Sequence, residues 1–282
     1  IIVSYLEGPT ARIVSGCNNP NTKLVSWIHI EQHTKELASK SFRSYKEALD
    51  CYSKFDRTVC VSDTVKDDFE SIFDTKKSVE VLYNTNESEK IKKLSDEKVD
   101  DVNFSKDIIN IISVAKIVPS KGYDRLMKIH KKLIEENIKN HIYILGIGEE
   151  KEKYEKYLTE NNLTDTFTFL GYRDNPYKYV KKADLYVCSS RREGFSTAVT
   201  EALIVGTPVV STNCSGAYEL LGENNEYGIV TENNEDALYE GIKKMLTTPD
   251  LLEAYAVKAK ERGKAFSTEK TVKAVEEMLE NL

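Results

Sequence analysis

The sequence predicts an α/β protein of two doubly wound domains facing a cleft, and three observations support this. Short apolar runs alternate with amphipathic helical stretches in both halves of the chain, which is typical of βαβ units and parallel sheets. A polar, mostly charged stretch interrupts the alternation from Asn84 to Asp107, and the alternation restarts at Ile109. The chain has 282 residues, which is long enough for two domains. We therefore expect ligands at the carboxyl ends of the strands.

The first half begins with the apolar run IIVSYL, which predicts a buried strand with no lead-in. We therefore expect an amino-terminally truncated chain with an incomplete first domain. A long helix is predicted from Thr34 to Tyr52, and Ser62 or Asp63 is expected to cap a later one. The other elements predicted here are a short helix from Pro9 and strands at 24–29, 58–61 and 79–82.

The second half repeats the strand and helix alternation and ends in helices. The predicted strands are at 109–115, 141–148, 167–170, 185–188 and 209–212, and the predicted helices between them are at 122–136, 149–161, 175–183 and 197–205. Two helices are expected to finish the chain. The last one would place five apolar residues on one face: Val272, Val275, Met278, Leu279 and Leu282. The predicted organisation is a partial domain over 1–84, a linker over 85–107, a second domain over 108–265, and a terminal helix over 266–282 that could cross back to the first domain.

One stretch, SSRREGFSTAVTEALIVGTPVV, combines two carboxylates with the start of a helix. Gly194 permits a sharp turn, and Ser196 or Thr197 can cap the helix. Glu193 precedes that helix and Glu201 lies roughly 6 Å along its axis, so both carboxylates are predicted near one helix mouth. Free N–H groups at such a mouth attract phosphate, and carboxylates accept hydrogen bonds from sugar hydroxyls. The alternative is a surface helix with two solvated glutamates.

Two lysines follow the first strand of the second half. Lys116 comes directly after the strand, and Lys121 ends a proline-containing turn before the next helix. Both could converge on a diphosphate. Ordinary solvated lysines are the alternative.

Composition excludes several classes of protein. The formal net charge is −6 and no long basic run occurs, so nucleic acid is not an expected partner. The five cysteines are odd in number and form no CxxC pair, which favours a reducing cytoplasm. Residues 1–57 carry eight Lys or Arg against six Asp or Glu. Peripheral contact with the inner face of a membrane is one interpretation of this bias, and a solvated helix face is the other.

Four segments together resemble retaining glycosyltransferases of family 4: SVAKIVPSKGYDRL, ILGIGEE, FLGYRDNPYKYVKKADLYVCSS and EGFSTAVTEALIVGTPVVSTNCSGAYELL. The spacing of Glu193 and Glu201, with seven residues between them, matches the signature of that family. The resemblance covers most of 109–282, whereas the amino-terminal half is similar more loosely. It implies a GT-B fold of two Rossmann-like domains.

The resemblance also implies roles for particular residues. Glu193 would meet hydroxyls of the donor sugar, Glu201 the ribose hydroxyls, and Lys116 and Lys121 the diphosphate. His29 falls where the family often places a histidine that contacts the donor sugar; a structural strand-end histidine is the alternative. The family usually has arginine at the position of Lys116. The remaining donor-binding residues implied by the resemblance are Gly194, Phe195 and Ser196 through their amides, and Tyr172 and Arg173 near the base. Glu193, His29 and Lys121 are the implied catalytic residues.

A metal or a resident cofactor is not expected. No Asp-x-Asp pair occurs, so lysine charge would replace the metal clamp used by other glycosyltransferases. The segment HIEQH from His29 has its glutamate one place too late for a zinc-protease helix, and GIGEEK from Gly146 has lysine in place of the third glycine of a dinucleotide motif. The nucleotide-sugar would be a substrate.

The resemblance implies a retaining hexosyltransferase. It would move a hexose or N-acetylhexosamine from a nucleotide-sugar, most simply a UDP-sugar, to a glycan or lipid-linked acceptor in bacterial surface polysaccharide synthesis. The alternative is a non-catalytic GT-B partner subunit or sugar-nucleotide-binding protein.

Overall fold

The structure is a computed structural model that describes residues 1–74 and 78–282. It divides into two compact units. The first unit comprises Ile1–Thr85, Glu193–Phe195 and Glu269–Leu282, and the second comprises Asn86–Arg192 and Ser196–Thr268.

Strands and helices alternate along most of the chain. The strands are β1 (Ile2–Ser4), β2 (Leu24–Ile28), β3 (Arg57–Cys60), β4 (Val79–Val81), β5 (Ile109–Val114), β6 (Asn140–Leu145), β7 (Phe167–Gly171), β8 (Leu185–Cys188), β9 (Val209–Thr212) and β10 (Ile229–Thr231). The helices are α1 (Pro9–Val14), α2 (Lys35–Ala38), α3 (Tyr45–Tyr52), α4 (Asp63–Ile72), α5 (Ser88–Ser95), α6 (Tyr123–Glu135), α7 (Lys151–Glu160), α8 (Tyr177–Lys182), α9 (Thr197–Val205), α10 (Ala217–Leu221), α11 (Glu235–Thr247), α12 (Leu251–Gly263) and α13 (Thr268–Glu280). A 3₁₀ turn over Pro119–Lys121 precedes α6.

The first unit contains a four-stranded parallel sheet in the order β1-β2-β3-β4. An aromatic cluster fills its interior, where the ring of Tyr52 lies 4.7 Å from that of Phe73 and 5.2 Å from that of Phe69. The Tyr52 hydroxyl accepts a hydrogen bond from the Gly8 amide, so this buried polar atom is satisfied. Ser62 caps α4 by accepting from the amide of Val65, as its position before the helix predicts.

The prediction of a buried strand at the start of the chain is wrong. Ile2 and Val3 of β1 are each 40% exposed, whereas every residue of the neighbouring β2 is buried. β1 is the edge strand of its sheet. An edge strand has a neighbour on one side only, and its apolar sequence could not reveal that position.

The predicted long helix from Thr34 to Tyr52 is also wrong, because the chain forms the two short helices α2 and α3. Ser39 turns its hydroxyl back to the carbonyl of Lys35 at the end of α2. Ser44 then accepts from the amide of Glu47 and so begins α3. Serine hydroxyls compete with helical hydrogen bonds in this way, which explains the break at 39–44.

The second unit contains a six-stranded parallel sheet in the order β10-β9-β8-β5-β6-β7. The chain first runs outward from β5 through β6 to β7, and then crosses to the other side of β5 to form β8. The β5/β8 border is therefore the topological switch point, where the carboxyl ends of strands leave a crevice for ligands. Helices α6 and α11 pack together, while α5, α8, α9 and α12 form another packed group.

The predicted linker over 85–107 is a structured part of the second unit. Helix α5 packs against α8 and α9, and Ile91 is buried at 3% exposure. The Asn175 side chain donates to the carbonyl of Leu94, and Lys181 pairs with Asp96 at 2.5 Å. Two buried apolar side chains, Ile91 and Phe104, and several polar contacts hold this segment, which is otherwise mostly polar, and this explains why composition alone suggested a linker.

The end of the chain contains more elements than predicted. Strand β10 and helices α10 to α13 follow β9, where the sequence suggested two final helices. Of the apolar face predicted for the last helix, Met278 is buried and Val275, Leu279 and Leu282 are half-buried, whereas Val272 is exposed and Thr271 is buried in its place. None of the helices in the described ranges combines the length and apolar content that crossing a bilayer requires.

Candidate functional site

A pocket of about 470 Å³ lies at the carboxyl ends of three adjacent strands of the second unit. It is lined by Val114, the last residue of β5, by Lys116 beyond it, by Gly146 after β6, and by Tyr172 and Arg173 after β7. Lys116 is exposed, and the Tyr172 ring is 66% exposed. Three of the predicted donor-binding residues, Lys116, Tyr172 and Arg173, therefore line one pocket at the expected sheet edge.

Arg173 is held by a residue that sequence reasoning missed. Its Nη2 lies 3.2 Å from the carboxylate of Asp101, which also accepts hydrogen bonds from the Tyr179 hydroxyl at 2.8 and 2.9 Å. The Nε of Arg173 is buried and has no hydrogen-bond partner within the described ranges. Asp101 lies in the segment predicted as a linker, so no sequence signal pointed to it.

Glu201 lies within α9, and the hydroxyl of Tyr177 is 3.5 Å from its Oε1. Tyr177 also lines the pocket, so it connects the pocket to the carboxyl group. Desolvation raises the pKa of Glu201 to about 7, and the hydrogen bond from Tyr177 offsets part of that rise. Desolvation, together with the neighbouring carboxylate, raises the pKa of Tyr177 to about 12. Tyr177 was not predicted, although it follows the predicted segment Gly171–Arg173 closely in sequence.

The start of α9 has the predicted form. Ser196 has extended backbone angles and its hydroxyl accepts from the amide of Val199, 3.4 Å away. Gly206 ends the helix in the left-handed conformation, at φ 84°. Of the two residues considered as the cap, Ser196 therefore takes the role, and Thr197 is the first helical residue.

Lys121 ends the 3₁₀ turn after β5, and its carbonyl accepts a hydrogen bond from the Ser189 hydroxyl at 2.8 Å. Gly122 follows in the left-handed conformation at φ 69°. A methyl group added at Gly122 would overlap the carbonyl oxygen of Ser189. The Lys121–Gly122 turn therefore packs directly on the chain after β8.

The first unit brings together the other predicted residues, His29 and Glu193–Phe195. A methyl group at Gly194 would overlap the carbonyl oxygen of His29, so glycine is needed here for close approach and not for the predicted sharp turn. The Phe195 ring stacks on Tyr83 with centroids 5.0 Å apart. Glu193, which is partly buried, is therefore in the same unit as His29.

His29 has a local environment of its own. Its amide donates to the carboxylate of Glu7 at 2.9 Å, and the Tyr5 ring meets the imidazole edge-on at 4.9 Å. Burial lowers the pKa of His29, while Glu7 opposes that shift, so the ring is neutral at pH 7. In the part of the chain that the structure describes, the buried Nε2 has no hydrogen-bond partner. A buried imidazole nitrogen of this kind can serve a ligand hydroxyl.

One cluster has metal-ligand chemistry. The ligand atoms of Glu31, His33 and Asp68 lie within 4.8 Å of one another. Asp68 accepts hydrogen bonds from the amides of Gln32 and His33, and His33 adopts a left-handed backbone at φ 60°. These hydrogen bonds explain the cluster, because the Asp68 carboxylate stabilises the turn at Gln32 and His33.

Residues 95–262 match the model of the family described as glycosyl transferases group 1. A Campylobacter jejuni N-acetylgalactosaminyltransferase, which acts on N-acetylgalactosamine-N,N'-diacetylbacillosaminyl-diphospho-undecaprenol, is 34% identical over 67% of this chain. An uncharacterized glycosyltransferase of Methanocaldococcus jannaschii is 30% identical over 90% of this chain. The chain spans 50% of the length of the Campylobacter protein and 70% of the archaeal one.

Solved structures show the same fold. The Anabaena protein HepE in complex with UDP superposes with a TM-score of 0.76 at 18% identity, covering 92% of this chain and 72% of that one. Staphylococcus aureus TarM, solved with UDP and glycan ligands, superposes with a TM-score of 0.71 at 22% identity, covering 92% of this chain and 51% of that one. The predicted GT-B architecture of two Rossmann-like sheets is therefore confirmed. By its family match and its relatives, the chain belongs to the glycosyl transferases group 1 family.

Proposed function

We propose that the protein is a retaining glycosyltransferase that takes a hexose or N-acetylhexosamine from a nucleotide-sugar, with UDP as the nucleotide. The observation that carries this proposal is the pocket at the carboxyl edge of the second sheet, with Lys116 on its wall and Glu201 behind Tyr177. Cationic and carboxylate groups at one sheet edge suit a ligand that carries both phosphates and hydroxyls.

In this proposal Glu201 accepts hydrogen bonds from the ribose hydroxyls, and Lys116 and Lys121 neutralise the diphosphate. Tyr172 offers an exposed ring to the base. Lys116 carries charge without the planar fork of arginine, so it acts as a point charge on the phosphate. The amides at the start of α9 add the positive end of a helix dipole.

The catalytic roles fall to Glu193, His29 and Lys121. The bond between the sugar carbon and the phosphate oxygen breaks, and its electron pair goes to the departing diphosphate, which lysine charge stabilises without a metal. The acceptor oxygen attacks from the same face, and its proton passes to the departing phosphate oxygen, so the anomeric configuration is retained. His29, whose Nε2 has no hydrogen-bond partner among residues 1–74 and 78–282, and Glu193 position the sugar, while the amides of Gly194, Phe195 and Ser196 contact the sugar or phosphate.

The acceptor is proposed from the relatives. The Campylobacter relative carries an undecaprenol diphosphate acceptor in its name, and a Staphylococcus aureus relative, 24% identical over 89% of this chain, is a poly(ribitol-phosphate) α-N-acetylglucosaminyltransferase. A glycan or lipid-linked acceptor in surface polysaccharide synthesis fits both. Such an acceptor would place the protein in the cytoplasm, peripherally at the inner membrane face.

Calorimetry with UDP tests the donor site. Glu201→Ala and Lys121→Ala should each weaken UDP binding by about 1.5 to 3 kcal/mol, because each removes a charge-assisted hydrogen bond. Lys128→Ala is the matched control, since Lys128 lies exposed on α6 and pairs with Glu235. Unchanged UDP affinity in both site variants would refute the assignment.

Turnover separates the enzyme from the alternative, a non-catalytic partner subunit or sugar-nucleotide-binding protein. The full-length protein should release nucleotide from a UDP-sugar in the presence of acceptor, and EDTA should leave the rate unchanged. UDP binding without turnover of UDP-, GDP- or ADP-sugars would favour the partner subunit.

A further inference from the structure

Arg125 is a buried arginine on the first turn of α6, with an exposed fraction of 4%. Its guanidinium donates from Nε to the carbonyl oxygen of Ser189 at 2.8 Å and from Nη2 to that of Ser190 at 2.6 Å. Burial lowers the pKa of the guanidinium. The adjacent carboxylate, Asp124, pairs with Arg191 instead. Burying a guanidinium against main-chain carbonyls costs desolvation free energy. We therefore expect Arg125 to have a role in its surroundings.

The carbonyls that Arg125 holds belong to the chain directly after β8. Ser190 is fixed further, because its carbonyl also accepts from the Thr212 hydroxyl at 2.6 Å and lies 3.1 Å from the Cys214 sulfur. Its position is thus determined from two sides, by α6 and by the end of β9.

The same two segments are joined at other points. The Ser189 hydroxyl donates to the carbonyl of Lys121, and the amide of Arg191 donates to the carbonyl of Ser120 at 2.7 Å. Asp124 and Arg191 form a bidentate pair with both distances at 2.7 Å. Gly122 leaves no room for a side chain between Ser189 and Arg125. At the β5/β8 switch point, these contacts join the chain after β8 to the turn that ends in Lys121.

We propose that Arg125 is a positioning residue of the donor site: it clamps the Ser189–Ser190 carbonyls against the Lys121–Gly122 turn and so sets where Lys121 meets the diphosphate. This inference rests on the proposed function. Arg125 does not touch the substrate and acts through the backbone that carries Lys121. The planar fork is essential, since one group must reach two carbonyl oxygens at once. Lysine at this position would keep the charge and lose that geometry.

The experiment compares the affinities of the folded protein for UDP and for uridine. Arg125→Lys should weaken UDP binding by about tenfold while leaving uridine binding within about twofold, because only the phosphates depend on the placement of Lys121. Ser189→Ala removes the hydroxyl contact to the Lys121 carbonyl and should weaken UDP binding by about threefold.

Arg262→Lys is the matched control. Arg262 also donates to two carbonyl oxygens, those of Leu220 and Glu219, but it joins α12 to α10, neither of which carries a predicted site residue. It should leave the UDP to uridine affinity ratio within about twofold of wild type.

The outcomes are separable from those of the proposed function. If wild type binds none of UDP, GDP and ADP, the proposed function fails. If wild type binds UDP but Arg125→Lys binds UDP normally, or loses UDP and uridine affinity equally, the positioning role is overturned while the function stands. If Arg125→Lys does not fold, Ser189→Ala decides: unchanged UDP affinity overturns the inference, and a selective loss supports it.

Discussion

Two regions of the carboxyl edge of the second sheet, the central β5/β8 border and the β7 side, are built differently. At the β5/β8 border, buried Arg125 donates hydrogen bonds to the carbonyl oxygens of Ser189 and Ser190. The ion pair between Asp124 and Arg191 lies at the surface of the same region. On the β7 side, the Tyr172 ring is exposed and the buried Nε of Arg173 has no partner within the described ranges. Many contacts hold the β5/β8 border, whereas fewer contacts hold the groups on the β7 side.

Under the proposed function, this difference would suit the two halves of a nucleotide. A phosphate requires cations at fixed distances, since electrostatic stabilisation depends on charges that do not have to reorganise. A base can stack on a ring in several positions. We therefore expect substitutions at the β5/β8 border to cost more than chemically equal substitutions on the β7 side.

The largest difference in stability between the two regions is expected for substitutions at two glycines that share one backbone conformation. Gly122 has φ 69° and Gly171 has φ 73°, but a methyl group would overlap Ser189 at the first and meets nothing within 4 Å at the second. Gly171→Ala should lower the free energy of unfolding by about 1 to 2 kcal/mol through backbone strain alone. Gly122→Ala adds a steric clash and should lower it by about 2 to 5 kcal/mol. Urea denaturation measures the free energy of unfolding of both variants. Equal losses would contradict the expected difference between the β5/β8 border and the β7 side.

The pH dependence of uridine binding reports on Glu201. Because desolvation raises its pKa to about 7, the carboxyl loses its proton as pH rises through neutrality, and under the proposed function the ionised form would accept hydrogen bonds from the ribose hydroxyls. Uridine affinity should therefore increase by about tenfold between pH 6 and pH 8. Uridine has no phosphate that titrates in this range.

Two variants sharpen that test. Glu201→Gln should give a flat profile, and Tyr177→Phe should move the midpoint to higher pH, because it removes the hydrogen bond that lowers the pKa. A wild-type profile without any slope would contradict the role of Glu201.

The smallest effect is expected at Asp101. Its pair with Arg173 joins two side chains that are 40% and 35% exposed, so Asp101→Asn should lower the free energy of unfolding by at most about 1 kcal/mol. UDP affinity should change by less than about threefold, because the base side adapts. Asp96→Asn is the control, as it removes the pair with Lys181 from the same segment. A tenfold loss of UDP affinity in Asp101→Asn alone would show that the β7 side is as constrained as the β5/β8 border.

Local patterns were sufficient for much of the second unit. The boundaries of α9, β8 and β9 match their predictions, since β-branched runs, a serine cap and a glycine stop act within a few residues. The same local signals located Lys116 at a strand end, the resemblance pointed to Tyr172, and both line the pocket.

Predictions that depended on distant neighbours were wrong. The charged segment around Ile91 appeared to be a linker because its support comes from α8 and α9, and β1 appeared buried because its edge position is a property of the sheet. Arg125 and Asp101 were missed for the same reason. Nothing near Arg125 in the sequence distinguishes it from an exposed helical arginine.

The sequence alone determined the alternation of strands and helices, the identity of the charged residues at the strand ends, and the resemblance to a family of transferases. The tertiary structure decided which of those residues share a pocket and which buried groups hold them in place. The reason is physical: capping and periodicity act over a few residues, whereas desolvation of Glu201 and the carbonyl contacts of Arg125 arise only when segments distant in sequence pack together.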